Sequence, residues 1–228
     1  MIYYDPENQT GPSIDEEIFR KKLLSWGKDN YRSFPWRETN NPYFILVAEL
    51  LLHRTRAEQV EPVYLEFIRR YPDPIALSNA NTREIMNLVS SLGLFWRSEL
   101  IHTAASYIVE KHEGRIPPDS ESLMKIPGVG HYITAAIRCF AYNLPDAIID
   151  TNVVRVITRV AGISVNDSLR RNRKFITFAR QLVDPIKPRE YNFALLDLAN
   201  KICLPRNPLT SRCPLEQICI FARSSHAE

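Results

Sequence analysis

Apolar residues recur along most of the chain at the three- and four-residue spacing of amphipathic helices. The first such segment contains Ile18, Phe19, Leu23 and Trp26 and ends at Gly27. Glycine and proline separate the later segments, and no stretch alternates between apolar and polar residues as a half-buried strand does. The pattern therefore predicts an all-α protein. Further helices are predicted at about 42 to 52, 55 to 71, 74 to 80, 81 to 91, 97 to 113, 122 to 126, 131 to 142, 150 to 161, 168 to 183 and 189 to 202.

One predicted helix, Tyr43 to Leu52, is almost wholly apolar and contains a single carboxylate, Glu49. An unpaired buried charge is strongly destabilising, so this carboxylate must be paired, protonated or directed at a polar pocket. Capping or bridging a neighbouring backbone is one interpretation. We favour the pocket, because desolvation raises the pKa of a carboxyl group and suits it to proton transfer.

The segment Pro127-Gly128-Val129-Gly130 lies between two predicted helices. Glycines permit the positive φ angles of a tight turn, so we expect the helices to meet in a hairpin. Free backbone N–H groups and the positive dipole end at the start of the second helix suit a phosphate, and glycines would let a phosphodiester approach closely. An ordinary helical turn is the alternative, since short motifs carry a high false-positive risk.

Asp150 follows Tyr132 by 18 residues and stands between an apolar run, Ala147 to Ile149, and another helical segment. A carboxylate is therefore expected at a helix N-terminus. An N-cap role alone would explain it, since Asp is preferred there and stabilises a helix by about 1 kcal/mol. The hairpin upstream favours a chemical role instead.

The hairpin, followed at this distance by an apolar run and Asp-Thr-Asn, resembles the endonuclease III superfamily of DNA glycosylases, which excise damaged or mispaired bases. The segment FPWRETNNPYFILVAELLLHRTRAEQV, residues 34 to 60, closely resembles the same region of thymine and adenine mismatch glycosylases. The resemblance covers nearly the whole chain. It implies a two-lobed helix-hairpin-helix fold, with a six-helix domain at 34–144 and a discontinuous helical domain at 1–33 and 145–228 that bears a cysteine loop.

The resemblance also implies roles for the residues singled out above. Asp150 would stabilise the positive charge that develops on the sugar as the N-glycosidic bond breaks. Glu49 would line the base pocket. Members that also cut the strand use a Lys that forms a Schiff base with the sugar. Tyr132 occupies that position, which predicts a monofunctional enzyme.

Two turns are expected to contact DNA beside the hairpin. His53 and Arg54 would fill the gap left by an extruded base and address the orphaned guanine, because an arginine fork can meet O6 and N7. A phosphate contact is the alternative for Arg54. Leu94 occupies the family's wedge position in an apolar turn, and Phe95 or Trp96 could share that role.

Three of the four cysteines gather near the C-terminus, which points to a metal rather than to disulfides. The family binds a 4Fe-4S cluster through four cysteines, and Cys203, Cys213 and Cys219 match three of these positions. Thr210 stands at the second. Three thiolates could hold the cluster with a hydroxyl, water or other side chain at the fourth iron. Loss of the cluster, or zinc, is the alternative.

The composition, 45% hydrophobic and 24% charged over 228 residues, is that of a globular protein. The net charge of +3 is by itself a weak argument for nucleic-acid binding. No run of about 18 apolar residues exists, and the N-terminus MIYYDPENQT lacks the regions of a signal peptide. We therefore expect a soluble, intracellular (cytoplasmic) monomer with no membrane partner.

Tyr132 together with Glu49 and Asp150 looks most like the glycosylases that remove thymine or uracil opposite guanine. The sequence thus predicts a repair enzyme that acts on double-stranded DNA with a mispaired or damaged base. An adenine glycosylase acting on A opposite G or 8-oxoguanine is the alternative. That branch often carries a further C-terminal domain, whereas this sequence ends nine residues after Cys219. A non-catalytic helix-hairpin-helix DNA-binding protein is a second alternative, against which the two carboxylates weigh.

Overall fold

The structure, a computed structural model, describes residues 14–93, 95–164 and 169–225. Within these ranges the regular structure consists of twelve α-helices and short 3₁₀ turns, with no β-strand, so the all-α prediction is confirmed. The helices are α1 (Glu16–Lys28), α2 (Pro42–Leu52), α3 (Ala57–Arg70), α4 (Pro74–Ser78), α5 (Thr82–Val89), α6 (Trp96–His112), α7 (Ser120–Lys125), α8 (His131–Tyr142), α9 (Thr151–Ala161), α10 (Arg173–Leu182), α11 (Pro188–Lys201) and α12 (Ile220–Ser225).

Contacts divide the chain into two compact units. The hairpin unit is Ser33–Leu144, and the cysteine unit comprises the described residues up to Arg32 and from Pro145 onward. The hairpin unit contains α2 to α8, and the cysteine unit contains α1 and α9 to α12. The sequence-based division differs from this one only in assigning Ser33 to the other part of the chain.

The centre of the hairpin unit is α2. Asn41 caps this helix by accepting hydrogen bonds from the backbone N–H groups of Tyr43 (2.9 Å) and Phe44 (3.4 Å), and Pro42 occupies its first position. Every residue from Ile45 to Leu51 is buried, and α2 packs against α3, α6 and α8. A helix that is apolar on all sides is stable only in such surroundings.

The cysteine unit is built around α11, which packs against α1 and α9. The approach of α1 is close: a Cβ on Gly27 would lie 2.8 Å from the Cβ of Ala194. Fully buried Asp197 accepts hydrogen bonds from the backbone N–H and the Nε of Arg32, at 3.0 and 2.7 Å. The arginine supplies the charge that a buried carboxylate requires.

None of the helices in the three described ranges combines the length and the apolar character that crossing a membrane requires.

Candidate functional site

The predicted hairpin is present between α7 and α8. Its two glycines adopt different conformations: Gly128 has φ +82°, whereas Gly130 is extended, with φ −99° and ψ −174°. The prediction that hairpin glycines serve positive φ angles is therefore correct for Gly128 and wrong for Gly130. Val129 is buried, Pro127 is half-buried, and both glycines are exposed.

Space around the two glycines differs as well. A Cβ on Gly128 would lie 2.8 Å from Cδ2 of Leu100, so the packing of α6 requires a glycine there. A Cβ on Gly130 would meet nothing within 4 Å. Gly130 is also the N-cap of α8, whose first-turn N–H groups have no partner within the helix. Nothing inside the protein requires a glycine at this position, and the space beside it is open to a ligand.

Asp150 is the N-cap of α9. Its Oδ1 accepts hydrogen bonds from the backbone N–H groups of Asn152 (2.9 Å) and Val153 (2.7 Å), and its Oδ2 accepts one from the Asn152 side chain (2.7 Å). The carboxylate is half-buried. Asp150 therefore caps α9. Its Oδ1 binds the backbone N–H groups, whereas Oδ2 can accept a further hydrogen bond.

The segment before Asp150 is fixed by a residue that sequence reasoning missed. Asn192, which is 1% exposed, accepts a hydrogen bond from the Ile148 N–H (3.2 Å) and donates to the carbonyls of Asp146 (3.1 Å) and Pro188 (2.9 Å). A side-chain amide can donate and accept hydrogen bonds at the same time. Asn192 therefore satisfies backbone groups of an extended segment that forms no β-sheet hydrogen bonds. A polar residue within the apolar part of α11 was the available signal.

Glu49 lies in α2 and is 8% exposed, so its predicted burial is confirmed. Its neighbours Ala48 and Leu50 are buried as well. Tyr132 is the second residue of α8, the helix that packs against α2, and its side chain is half-buried. Both side chains thus belong to facing helices of one unit, and their roles remain predictions.

His53 and Arg54 form an exposed turn immediately after α2. Arg54 has φ +57°, in the left-handed region that side chains other than glycine rarely occupy. The His53 ring contacts Trp96 edge to face, with ring centroids 5.9 Å apart. Partial burial, and then the charges of Arg54 and Arg97, lower the pKa of His53.

Arg97 is the second residue that the sequence did not reveal. It is 0% exposed, at the start of α6, and donates hydrogen bonds to the carbonyls of Leu51 (2.9 Å) and His53 (2.5 Å) and to the hydroxyl of Thr55 (3.1 Å). Burial lowers the pKa of its guanidinium. The sequence predicted a helix from about residue 55, but the N-cap of α3 is Arg56, and the hydroxyl of Thr55 accepts a hydrogen bond from Arg97.

Leu94, the predicted wedge, lies outside the described residues. The two residues that follow it are strongly exposed for aromatic side chains, Phe95 at 64% and Trp96 at 49%. Exposed aromatic groups beside a glycine turn remain available for insertion between bases.

The structure places the predicted site residues in two groups, which follow the two units. Glu49, His53, Arg54, Tyr132 and Pro127 to Gly130 belong to the hairpin unit, whereas Asp150 and the cysteines Cys203, Cys213 and Cys219 belong to the cysteine unit.

A family model described as HhH-GPD superfamily base excision DNA repair protein matches residues 47–179, which include the hairpin, Glu49 and Asp150. The chain belongs to this superfamily. Among its relatives is a thymine-DNA glycosylase of Aeropyrum pernix, 40% identical over 90% of this chain and 94% of the relative. A thymine/uracil-DNA glycosylase of Pyrobaculum aerophilum is 37% identical over 91% and 93%. An adenine DNA glycosylase of Rattus norvegicus is 33% identical over 90% of this chain but only 42% of its own length.

A solved structure of a thermostable thymine-DNA glycosylase superposes on this HhH-GPD protein with a TM-score of 0.88. It has 31% sequence identity and covers 92% of this chain and 97% of the other. The all-α glycosylase fold inferred from the hairpin and Asp150 is thereby confirmed.

The cysteine loop is where this HhH-GPD chain departs from the family pattern. Cys203 and Cys219 are buried. Burial raises the pKa of the Cys213 thiol to about 11, and the neighbouring cysteines act in the same direction. The pKa of Cys219 is also raised, first by burial. Burial thus disfavours the charged form of both thiols.

A guanidinium from α9 lies beside one of these thiols. Arg159 of α9 donates to the Cys203 Sγ (3.4 Å) and to the carbonyl of Leu204 (2.7 Å), and its guanidinium lies over the Phe221 ring. In the described part of the chain, no three His, Cys, Asp or Glu side chains are placed as ligands of a single metal ion. A 4Fe-4S cluster requires a different arrangement of ligands, because each thiolate binds a different iron. Cys203, Cys213 and Cys219 would supply three such thiolates and Thr210 stands at the fourth position, so the cluster remains a prediction.

Proposed function

We propose that this HhH-GPD protein is a monofunctional DNA glycosylase that removes thymine or uracil opposite guanine from double-stranded DNA. Membership of a base excision repair superfamily supports DNA as the substrate. The names of the thymine- and uracil-removing relatives, which match the chain over nearly their whole lengths, support the choice of base.

The observation that supports this function most directly is the position of Asp150. Cleavage of the N-glycosidic bond leaves positive charge on the sugar, and a fixed carboxylate stabilises that charge without reorganising. The two backbone N–H groups that bind Oδ1 hold the carboxylate in place, so Oδ2 can face the sugar or a water molecule. Water then adds to the sugar carbon, its proton passes to a base such as Asp150, and the nucleobase departs with the bond's electron pair.

Tyr132 supports hydrolysis without strand cleavage. A lyase needs an amine that forms a Schiff base with the opened sugar. A phenol cannot form one, and its place at the start of α8 is the family's lysine position. We infer that the abasic site is the final product.

Glu49 would recognise the extruded base. A glycosylase must turn its target nucleotide out of the duplex, at a cost of roughly a few kcal/mol that is lower for a mispaired base. The buried carboxyl of Glu49 can accept from the N3–H of thymine or uracil, or donate to a carbonyl when protonated. Phe95 and Trp96 would help to keep the base out by filling the stack.

The hairpin would hold the DNA backbone. A phosphate beside Gly130 would accept hydrogen bonds from backbone N–H groups at the start of α8 and lie at the positive end of the helix dipole. His53 and Arg54 would address the guanine left without its partner, with Arg54 reading O6 and N7.

Cys203, Cys213 and Cys219 would hold a 4Fe-4S cluster, with Thr210 or water at the fourth iron. Such a cluster would cross-link the loop after α11 and supply no step of the hydrolysis. Arg159 would pair with the thiolates and anchor the loop to α9.

Adenine removal is the competing function, because adenine DNA glycosylases are also relatives. One assay separates the two. Duplexes carrying T·G, U·G, T·A, U·A, A·G and A opposite 8-oxoguanine are incubated with the protein and then treated with alkali to cleave abasic sites. The proposal expects cleavage of T·G and U·G above all others. Faster release of adenine from either adenine mispair would overturn it.

A further inference from the structure

The Arg97 guanidinium and the His53–Thr55 turn are held together by one nitrogen. Arg97 Nη2 donates both to the carbonyl of His53 and to the hydroxyl of Thr55, the residues on either side of Arg54. Nη1 donates to the carbonyl of Leu51, in the last turn of α2. The same side chain thus fixes the end of α2 and the turn that follows it.

The turn needs such a support because its backbone is strained. Arg54 is one of only four residues other than glycine with positive φ in the described part of the chain. Strained conformations of this kind persist only where the surroundings over-determine them, and they cluster at functional sites. Within the chain's own turn, the Thr55 N–H donates to the Leu52 carbonyl (3.1 Å) and the Thr55 hydroxyl donates to the His53 carbonyl (3.4 Å). The other described contacts of the turn come from α6, through Arg97 and Trp96.

Burial makes the arrangement unusual. Arginine is almost never fully buried, and the Nε of Arg97 has no hydrogen-bond partner among the described residues. A charge placed there only for stability could be replaced by an apolar side chain of similar volume, often without loss. Its fork geometry, by contrast, fixes the relative positions of several acceptors, which a lysine cannot reproduce.

We propose that Arg97 is a positioning residue for opposite-base discrimination: it holds the turn in the one conformation that presents His53 and Arg54 to the unpaired guanine. This inference rests on the proposed function of that turn. Because Arg97 is 0% exposed, it would not reach the guanine itself. It acts through its bonds on either side of Arg54.

The first test compares two variants of Thr55 that preserve the fold. Thr55→Val keeps the shape and removes the hydroxyl that Arg97 binds, whereas Thr55→Ser keeps the hydroxyl. Single-turnover excision rates of uracil opposite guanine and opposite adenine give a discrimination ratio for each. The ratio should fall in Thr55→Val and stay at the wild-type value in Thr55→Ser. Equal ratios in the two variants would overturn the inference.

The second test uses Arg97→Lys, with Ile108→Val as the control for stability. Ile108 lies on the same helix and is 0% exposed, and its apolar side chain forms no hydrogen bond to the turn. Arg97→Lys should lower the discrimination ratio by about tenfold, the loss expected when an arginine no longer reaches its guanine. Ile108→Val should lower the melting temperature without changing the ratio. If the discrimination ratio falls in both variants in proportion to the loss of melting temperature, the inference is overturned.

Amide hydrogen exchange in the DNA-free protein separates this inference from the proposed function. The Thr55 amide should exchange faster in Arg97→Lys, while amides in the middle of α2 keep the wild-type rate. Unchanged exchange at the turn would show that Arg97 does not hold it, whatever the substrate is. A wild-type protein that releases neither thymine nor uracil would instead contradict the proposed function.

Discussion

Gly128 packs against Leu100, whereas a Cβ on Gly130, two residues later in the same hairpin, would meet nothing within 4 Å. The side chain of Leu100 would lie 2.8 Å from a Cβ on Gly128, and the positive φ of this residue adds a second obstacle. Gly130 has neither constraint. One glycine is therefore needed to form the hairpin, and the other leaves room for what the hairpin binds.

This difference predicts opposite results for a matched pair of serine substitutions. Gly128→Ser should destabilise the protein by about 1 to 3 kcal/mol, because serine must adopt a strained φ and displace Leu100. Gly130→Ser should leave the melting temperature unchanged or higher, since serine is a good N-cap. It should nevertheless weaken binding to duplex DNA by roughly tenfold, because the side chain occupies the phosphate's space and competes for its N–H donors. Unchanged affinity in Gly130→Ser would contradict the phosphate site.

Asp150→Asn separates the capping role of this residue from its chemical role. Asparagine caps helices as well as aspartate does, so stability should change by less than about 0.5 kcal/mol. Excision should fall by at least about a hundredfold, because the charge facing the sugar is lost. Single-turnover rates and a binding titration measure the two effects separately. A variant that keeps a substantial part of the wild-type rate would show that Asp150 is only a cap.

Borohydride trapping tests the role given to Tyr132. The wild-type protein incubated with substrate DNA and borohydride should yield no covalent complex on a denaturing gel, because no lysine occupies the Schiff-base position. An endonuclease III that forms such a complex, run in parallel, shows that the trap works. Efficient trapping of this protein would mean that another amine attacks the sugar and that the enzyme is a lyase.

Iron and acid-labile sulfide in anaerobically purified protein test the cysteine loop. We expect both elements, with broad absorbance in the visible blue, if three thiolates hold the cluster. Cys213→Ser should lose the iron, whereas Cys139→Ala, a change to a buried cysteine of α8, should keep it. Thr210→Cys should make the cluster more resistant to oxidation. A folded, active protein that binds zinc or no metal would contradict the expectation.

Local patterns predicted the helices and the burial of Glu49, because both depend on residues close together in sequence. The positions of Pro42, Gly128 and Asp150 also have local causes, in helix starts and turns. Helix starts were predicted less closely: the predicted helix begins at Thr55, whereas the N-cap of α3 is Arg56.

The residues that hold the site in place could not be predicted from local sequence patterns. Arg97 binds acceptors 42 to 46 residues away in sequence. Asn192 binds the Ile148 N–H and the Asp146 carbonyl, which lie 44 and 46 residues away. An arginine beside a tryptophan at a helix start is usually solvated, and no periodicity distinguishes the buried case. The polar Asn192 within the apolar part of α11 is a sequence signal, but only the packing of distant segments shows which groups Asn192 and Arg97 bind.

A competition assay between two mispairs measures the choice of base. A T·G duplex and a duplex with adenine opposite 8-oxoguanine, differently labelled and at equal concentration, are mixed with limiting protein, and the initial rates give the ratio of kcat/KM for the two. A thymine/uracil glycosylase should give a ratio well above one in favour of T·G, and Arg54→Ala should bring the rate on T·A closer to that on T·G. A ratio below one, with free adenine as the main product, would contradict the proposed function and identify an adenine glycosylase.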